Sequence, residues 1–305
     1  MKLKGFSKKF NMNHFSLAIP TFKRNIELQK LLASVPEFVS LNISDNGSTL
    51  PESFQNQYPN AAISKVKPAV SMFPNWNLAA NLVQTNWFAI PSDDDIYYPE
   101  SFLIIESYLE RYPDMDMIVF GHNTIDTDGN ILNSWTPQLE TCIAPSGFLK
   151  FQYGVDARMP SVFIKTALFK ELGGFDEGFR ITAADSDFVQ RAALIGNVQF
   201  VPEVVSGYRV WEGGLTHLKI ATTEWMQEID RWCERINVFC KERKIEVYSP
   251  KTKDEIYARN LLAGIVSAKK SAGFLSAWQH ANKCRYPYQA LFRTQLRLWY
   301  WLMRP

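Results

Sequence analysis

The sequence is poor in the features that announce sulfur chemistry, secretion or a bilayer span. Its four cysteines, Cys142, Cys233, Cys240 and Cys284, show no CxxC spacing, so neither a zinc site nor a disulfide framework is indicated. Cys233 and Cys240 stand seven apart, on one face of a helix, and read as core packing. No stretch approaches the ~20 apolar residues of a membrane-spanning helix. The basic start, 1-MKLKGFSKKFNMNHF-15, lacks the apolar run of a signal peptide; the expected location is cytoplasmic. There is no internal repeat and no low-complexity linker. Acid is absent from residues 281–305, which hold Lys283, Arg285, Arg293, Arg297 and Arg304. Of 33 basic residues those five leave 28 in the rest of the chain against all 31 acids, so a slightly acidic body ends in a basic tail.

What is present reads as a soluble, aromatic-rich α/β chain of 305 residues, long enough to bury a sizeable core. Apolar residues alternate in 15-FSLAIP-20 and 39-VSLNIS-44, and short strands follow at 61-AAISKV-66 and 86-NWFAI-90. Between them lie helical patterns over about 25–33 and 74–84. Strands alternating with helices predict a mainly parallel sheet built of βαβ units. The loops after the strands then share one edge, which collects Thr21, Asp45 and the run Asp93, Asp94, Asp95. Three adjacent carboxylates repel one another unless a cation or water takes up the charge. The rim of a parallel sheet is also where such folds place ligands. A hard divalent ion held by one or two carboxylates and substrate phosphates suits the cluster, and a solvated acidic turn capping a helix is the plain alternative.

Beyond residue 115 the pattern changes. A strand is expected at 116-DMIVFG-121, a hairpin at Asp128-Gly129, and a strand at 160-PSVFI-164. Residues 165–172 read as a helix and 173-GGFDEGF-179 as a glycine-rich turn. Residues 185–194 form a further helix stopped at Gly196. A strand at 198-VQFVP-202 leads to a loop from 206. Trp225, Ile229, Trp232, Ile236 and Phe239 then mark a long helix.

Four stretches taken together, 17-LAIPTFKR-24, 43-ISDNGST-49, 91-PSDDDIYYPE-100 and 172-LGGFDEGFRITAADSDFVQRAALIG-196, resemble the family 2 glycosyltransferases of GT-A fold. They follow one another as in that family across about residues 15–215. The resemblance implies a GT-A-type, Rossmann-like mainly parallel sheet flanked by helices. It implies a catalytic domain at 1–220, with a nucleotide-sugar half at about 15–120 and an acceptor half at about 121–220. A helical extension at 221–305 completes the chain. Inverting transfer from a UDP- or dTDP-sugar to a glycan or polyprenyl-linked oligosaccharide follows, with Mn²⁺ or Mg²⁺ as cofactor.

Residue by residue, the resemblance implies that Asp45 meets the nucleobase, with Pro20 and Thr21 lining the same pocket. Asp93 and Asp94 form the DxD-type pair, Asp94 being favoured for the metal with Asp95 in support. Asn77 belongs to an NWN element on the donor side, in which Trp76 reads as a core anchor. Asp185 is the general base, and Asp187 is held in reserve. The plain readings are an Asx-turn for Asp45 and an N-cap for Asp185. Three positions depart from the family pattern: Ser92 and Ala184 where acids are usual, and Trp211 where a metal-binding His is expected. His217 or Glu212 is then the third ligand, or water. Arg180 and Arg209 are candidates for phosphate contact or for ordinary salt bridges. The departures keep open a scaffold that binds glycan or lipid without catalysis. A nucleotidyltransferase is disfavoured because 20-PTFKRN-25 has no glycine.

In the tail, aromatic residues are interleaved with arginines, and from Tyr288 the positions Leu291, Phe292, Leu296, Trp299, Leu302 and Met303 repeat at helical spacing. Such a helix suits the inner-leaflet membrane surface, or packing on the body or a second subunit. A nucleic-acid partner is not expected, since the body is not basic.

Overall fold

Phe15, Leu17 and Ile19 face one side of the first strand and Ala18 the other, and all are buried, so this strand needs cover on both faces. The computed structural model, which describes residues 14–211 and 213–304, supplies it. The basic start of the chain and Glu212 lie outside the described residues. The first half runs β1 (Phe15–Thr21), α1 (Asn25–Ala33), β2 (Ser40–Asn46), α2 (Phe54–Gln57), β3 (Ala62–Val66), α3 (Met72–Asn81) and β4 (Trp87–Ala89). It continues through β5 (Ile96–Tyr97), α4 (Ser101–Arg111), β6 (Met117–Ile125), β7 (Ile131–Trp135), β8 (Glu140–Cys142) and α5 (Phe148–Phe151). After a 3₁₀ turn at Met159–Ser161 come β9 (Val162–Lys165), α6 (Thr166–Glu171), α7 (Ala184–Ile195) and β10 (Val198–Arg209). The last helices are α8 (Leu215–Lys219), α9 (Thr223–Glu242), α10 (Pro250–Asn282) and α11 (Phe292–Met303).

The main sheet is ordered β3-β2-β1-β4-β9-β6-β10-β5. β3, β2, β1 and β4 are parallel, and β6 and β10 are parallel to each other. β9 lies antiparallel between β4 and β6 and joins the two sets. One face of the sheet carries Leu17, Ile19, Ile43, Phe120 and Phe163, which share a core with Leu28 of α1 and Phe102 of α4. The other carries Ala18, Phe88, Ile164 and Val198, which share a core with Phe188 of α7. Trp225, Ile229, Trp232, Ile236 and Phe239 of α9 are buried in that same second cluster, as are Cys233 and Cys240. The C-terminal helices therefore share the core of the sheet.

Two elements differ from the sequence reading. β5 is a two-residue strand inside the stretch read as passing from the aspartates straight into a helix. It pairs with β10 through Tyr97↔Ser206 and Ile96↔Gly207. β10 does not end at Pro202 but runs on to Arg209. Proline has no N–H to give a ladder, and the register against β6 slips on both sides of Val204. The chain absorbs the proline as an irregularity, resumes pairing and delivers Tyr208 and Arg209 to the sheet rim.

Candidate active site

β1 and β4 are parallel neighbours, yet the chain leaves β1 toward β2 and β3 and comes back on the other side at β4. Such a reversal leaves a crevice beyond the carboxyl ends of the strands. The loops that border it carry Thr21 to Arg24 and Ser92 to Asp95. Thr21 also stands opposite Asp45 in the β1–β2 register. Three sequence-predicted residues are thus brought into a row by strand order alone.

The Thr21 hydroxyl donates to Asp93 Oδ2 at 2.8 Å. The Arg24 guanidinium reaches both acids, donating from Nη1 to Asp93 Oδ1 at 3.3 Å and to Asp94 Oδ2 at 2.5 Å. Burial raises the Asp93 carboxyl to about 6, with the neighbouring Asp94 charge adding to it and Thr21 and Arg24 opposing. The Arg24 guanidinium is held above its ordinary value, because Asp94 and Asp93 outweigh the effect of its own burial. Its flat face lies 5.0 Å from the Trp211 ring. Gly213 lets that ring sit down on the backbone, since a Cβ there would come within 2.0 Å of it. Arg24 closes the first motif in the sequence, but nothing in its spacing revealed that it would be the counter-ion of the aspartates.

Asp95 is a different case. It is 1% exposed, and its two oxygens accept backbone N–H groups from Ser92 at 2.8 Å and Arg209 at 3.2 Å. Burial and the adjacent Asp94 push its carboxyl well above the ordinary range. It ties the loop to β10, with both oxygens occupied by backbone N–H groups. His217 sits exposed on α8, and among the described residues no three His, Cys, Asp or Glu side chains converge as a metal cage. The trio Asp94, Asp95 and His217 is therefore not assembled. The donor set does fit an ion of the kind held by one or two carboxylates and the phosphates of a substrate. Asp94, with Asp93 behind it, would supply the carboxylates, and Arg24 would have to yield its place on Asp94.

Asp45 has no exposed surface. Its Oδ1 accepts from the Thr49 N–H at 2.8 Å and the Thr49 hydroxyl at 3.2 Å, and its Oδ2 from the Leu50 N–H at 3.1 Å. It holds the turn after β2, and contact with a nucleobase requires that turn to open. Asn77 is also committed: its amide donates to Phe175 O at 2.9 Å and Glu177 Oε1 at 3.0 Å and accepts from Phe175 N at 3.0 Å. Gly174, at φ +71°, has no room for a side chain there, because a Cβ would lie 2.6 Å from Asn77 Oδ1. Asn77 thus ties α3 to the 173–177 turn. Trp76 packs edge-on against Phe73 and Phe175, as a core anchor does.

Asp185 stands half-buried in the first turn of α7, with Oδ1 accepting the Ser186 N–H at 2.8 Å. Ala183 just before it has φ +66°, a left-handed conformation uncommon for a residue with a side chain. Glu228 of α9 secures the preceding segment by accepting N–H groups from Arg180, Ile181 and Thr182 at 2.7 to 3.2 Å. Asp187 is fully buried between Arg191 at 2.8 Å and Arg235 at 3.2 Å, which makes it a structural acid and removes it as reserve base.

Tyr208 stands next to Arg209 at the end of β10. Burial pushes its phenol up to about 12, opposed by Arg158 stacked 5.2 Å from the ring and reinforced by the charges of Asp95, Asp185 and Asp94. Arg209 donates to the carbonyls of Asp94, Asp126 and Thr127 at 2.6 to 2.8 Å. Among the described residues it has no carboxylate partner, so its charge is left to the cleft. A cavity of about 260 Å³ opens there, lined by Arg24, Glu27, Lys30, Asp94, Thr127, Arg209 and Trp211. A larger and shallower hollow of about 520 Å³ near Tyr98, Glu100 and Val204 contains none of the candidate acids. The smaller cavity is the candidate site, because Arg24, Asp94 and Arg209 line it; Asp185 is not among its lining residues.

No family model matches the sequence, and no curated protein matches it. Among solved structures the chain resembles S. aureus TarS residues 1–349 in complex with UDP-GlcNAc. The TM-score is 0.57 at 18% identity, over 86% of this chain and 75% of that one. It also resembles the mannosyltransferase PcManGT from Pyrobaculum calidifontis in complex with GDP-Man and Mn²⁺. There the TM-score is 0.50 at 14% identity, over 95% and 85% of the two chains. At these identities the likeness establishes the fold, which is the GT-A-type α/β architecture with C-terminal helices.

Proposed function

We propose that this chain is an inverting glycosyltransferase of family 2 type that moves a sugar from a UDP- or dTDP-sugar to a hydroxyl of a glycan or polyprenyl-linked oligosaccharide. The carrying observation is the crevice beyond β1 and β4, where Asp94 is paired with Arg24 beside a cavity; Asp185 at the start of α7 is assigned as base from the motif resemblance. The neighbours crystallised with UDP-GlcNAc and GDP-Man support a nucleotide-sugar donor. In this reading Asp185 accepts the proton of the acceptor hydroxyl while that oxygen bonds to the anomeric carbon. The carbon–oxygen bond to the diphosphate breaks, and the electron pair leaves with the nucleoside diphosphate. One base and one displacement invert the anomeric centre, since retention by double displacement needs a carboxylate nucleophile. Arg24, Lys30 and Arg209 give the cleft positive charge where the diphosphate departs, the electrostatic assistance that preorganised donors provide. Bound Mn²⁺ or Mg²⁺ would add Lewis-acid neutralisation of the same phosphates, held by Asp94 and Asp93. The biological setting in this proposal is assembly of a bacterial surface polysaccharide on the cytoplasmic face of the inner membrane.

The test is a panel of UDP-, dTDP- and GDP-sugars, with and without Mn²⁺, scored for nucleotide release and transfer. Turnover with a UDP- or dTDP-sugar that is lost in both Asp94→Asn and Asp185→Asn supports the reading. Turnover that survives both substitutions overturns the site. Nucleotide binding without hydrolysis or transfer supports the scaffold instead.

A further inference from the structure

The last acid of the chain is Glu255, and residues 256–305 contain eight lysines and arginines and no Asp or Glu. Within that segment α11 is fixed on one side only. Thr294, Leu298 and Leu302, at i, i+4 and i+8, are buried against the body. Buried Glu255 accepts from Leu291 N at 2.9 Å and the Thr294 hydroxyl at 2.7 Å, which anchors the start of the helix. Trp278 Nε1 donates to Leu302 O at 2.7 Å and anchors its end. Of the apolar stripe expected from the sequence, only Leu302 is buried, and Leu291 is half-buried. Phe292, Leu296, Trp299, Tyr300 and Met303, at i, i+4, i+7, i+8 and i+11, are between 46% and 75% exposed. Five large apolar side chains on one face of one helix form a contiguous patch, which soluble surfaces seldom leave uncovered. Arg293, Arg297 and Arg304 flank it, are exposed, and have no carboxylate partner among the described residues.

We infer that α11 is a membrane-surface helix that docks the protein on a bilayer rich in anionic phospholipid. The stripe enters the boundary between headgroups and acyl chains, and the three arginines meet the lipid phosphates. An apolar face with arginines beside it is the pattern of helices that lie in the interface plane, and each cation near an anionic surface adds to the partition. No described helix is long and apolar enough to cross a membrane. A second copy of α11 is a poorer occupant, because pairing two such faces would bring six arginines together with no acid between them. The inference deepens the transferase reading by placing it where a lipid-linked acceptor lies. Its test uses no turnover, so either can fail without the other.

The full chain is mixed with sedimentable vesicles of phosphatidylethanolamine and phosphatidylglycerol, or of phosphatidylcholine alone, at 50 and 500 mM NaCl. The expected result is binding to the anionic vesicles that falls at high salt, with at least ~10-fold weaker binding to phosphatidylcholine. The triple variant Arg293→Gln, Arg297→Gln, Arg304→Gln should lower partition onto anionic vesicles about 10–100-fold. The triple variant Phe292→Ser, Leu296→Ser, Met303→Ser should abolish sedimentation on both, and circular-dichroism melts should show both variants folded. Failure of the wild-type chain to sediment with anionic vesicles overturns the inference. So does undiminished binding by the folded serine variant, or a dimer in sedimentation equilibrium that the serine variant dissolves while vesicles bind neither protein.

Discussion

The loop after β4 and the first turn of α7 each set two acids side by side, and in each the two have opposite fates. After β4, Asp95 is sealed against the N–H groups of Ser92 and Arg209, while Asp94 faces a cavity with the partly exposed Arg24 as its partner. In α7, Asp187 is sealed between Arg191 and Arg235, while Asp185 keeps one short backbone contact and stays half-buried. The sealed acid fixes the element, and the open one is the acid to which the proposed function gives a chemical role. What separates them is the number of fixed donors each carboxylate faces, a quantity that depends on strand and helix neighbours far away in the chain.

Substitutions should split each pair cleanly. The largest effect is expected for Asp185→Asn, which removes the proposed base. Turnover should fall about 10²–10⁴-fold, with the urea midpoint unchanged, as initial-rate and unfolding measurements together would show. Asp187→Ala should do the reverse. It leaves buried Arg191 without its charge partner, and breaking such a pair destabilises by about 3–5 kcal/mol, measured by urea unfolding. Equal loss of stability in both variants would erase the distinction. Asp95→Asn is a smaller perturbation, since one acceptor oxygen remains. One backbone N–H of Ser92 or Arg209 then faces an amide donor, at a cost of about 1–3 kcal/mol. A stability unchanged to within ~0.5 kcal/mol would show that the seal on Asp95 is not formed.

The parallel half of the sheet was legible because its strands alternate and its helices repeat, so the edge that gathers Thr21, Asp45 and the aspartates followed from residues 15–95 alone. β10 was cut short in the sequence reading because Pro202 looks like a strand end, and only pairing with β6 on one side shows that the ladder recovers. The roles within the site were less accessible. Asn77 and Asp45 have the chemistry of ligand contacts, but their partners at 173–177 and 49–50 use that chemistry first. Glu228 and Arg24 act through contacts 46 or more residues away in sequence, and no local spacing encodes them. Likewise, the tail stripe was visible as a period of apolar residues. Which side of that period faces the body depended on Glu255 and Trp278.

Asp93 lies between the two fates, buried like Asp95 yet sharing the guanidinium of Asp94, and its titration tests which it follows. Its carboxyl is raised to about 6 in the fold from an ordinary value of 3.8, chiefly by burial. A raised acid favours the fold in its protonated form. The contribution is therefore complete below about pH 4 and is lost as the pH climbs through about 6. A shift of this size corresponds to at most about 3 kcal/mol, of which about 2 kcal/mol falls between pH 4.5 and 7.5. Asp93→Asn keeps an acceptor for the Thr21 hydroxyl and cannot ionise. The wild-type chain should thus lose about 2 kcal/mol more than Asp93→Asn between pH 4.5 and 7.5, read from urea midpoints without added metal. If the two proteins show parallel pH profiles, Arg24 already compensates Asp93 fully, and Asp93 belongs with the open acid rather than the sealed one.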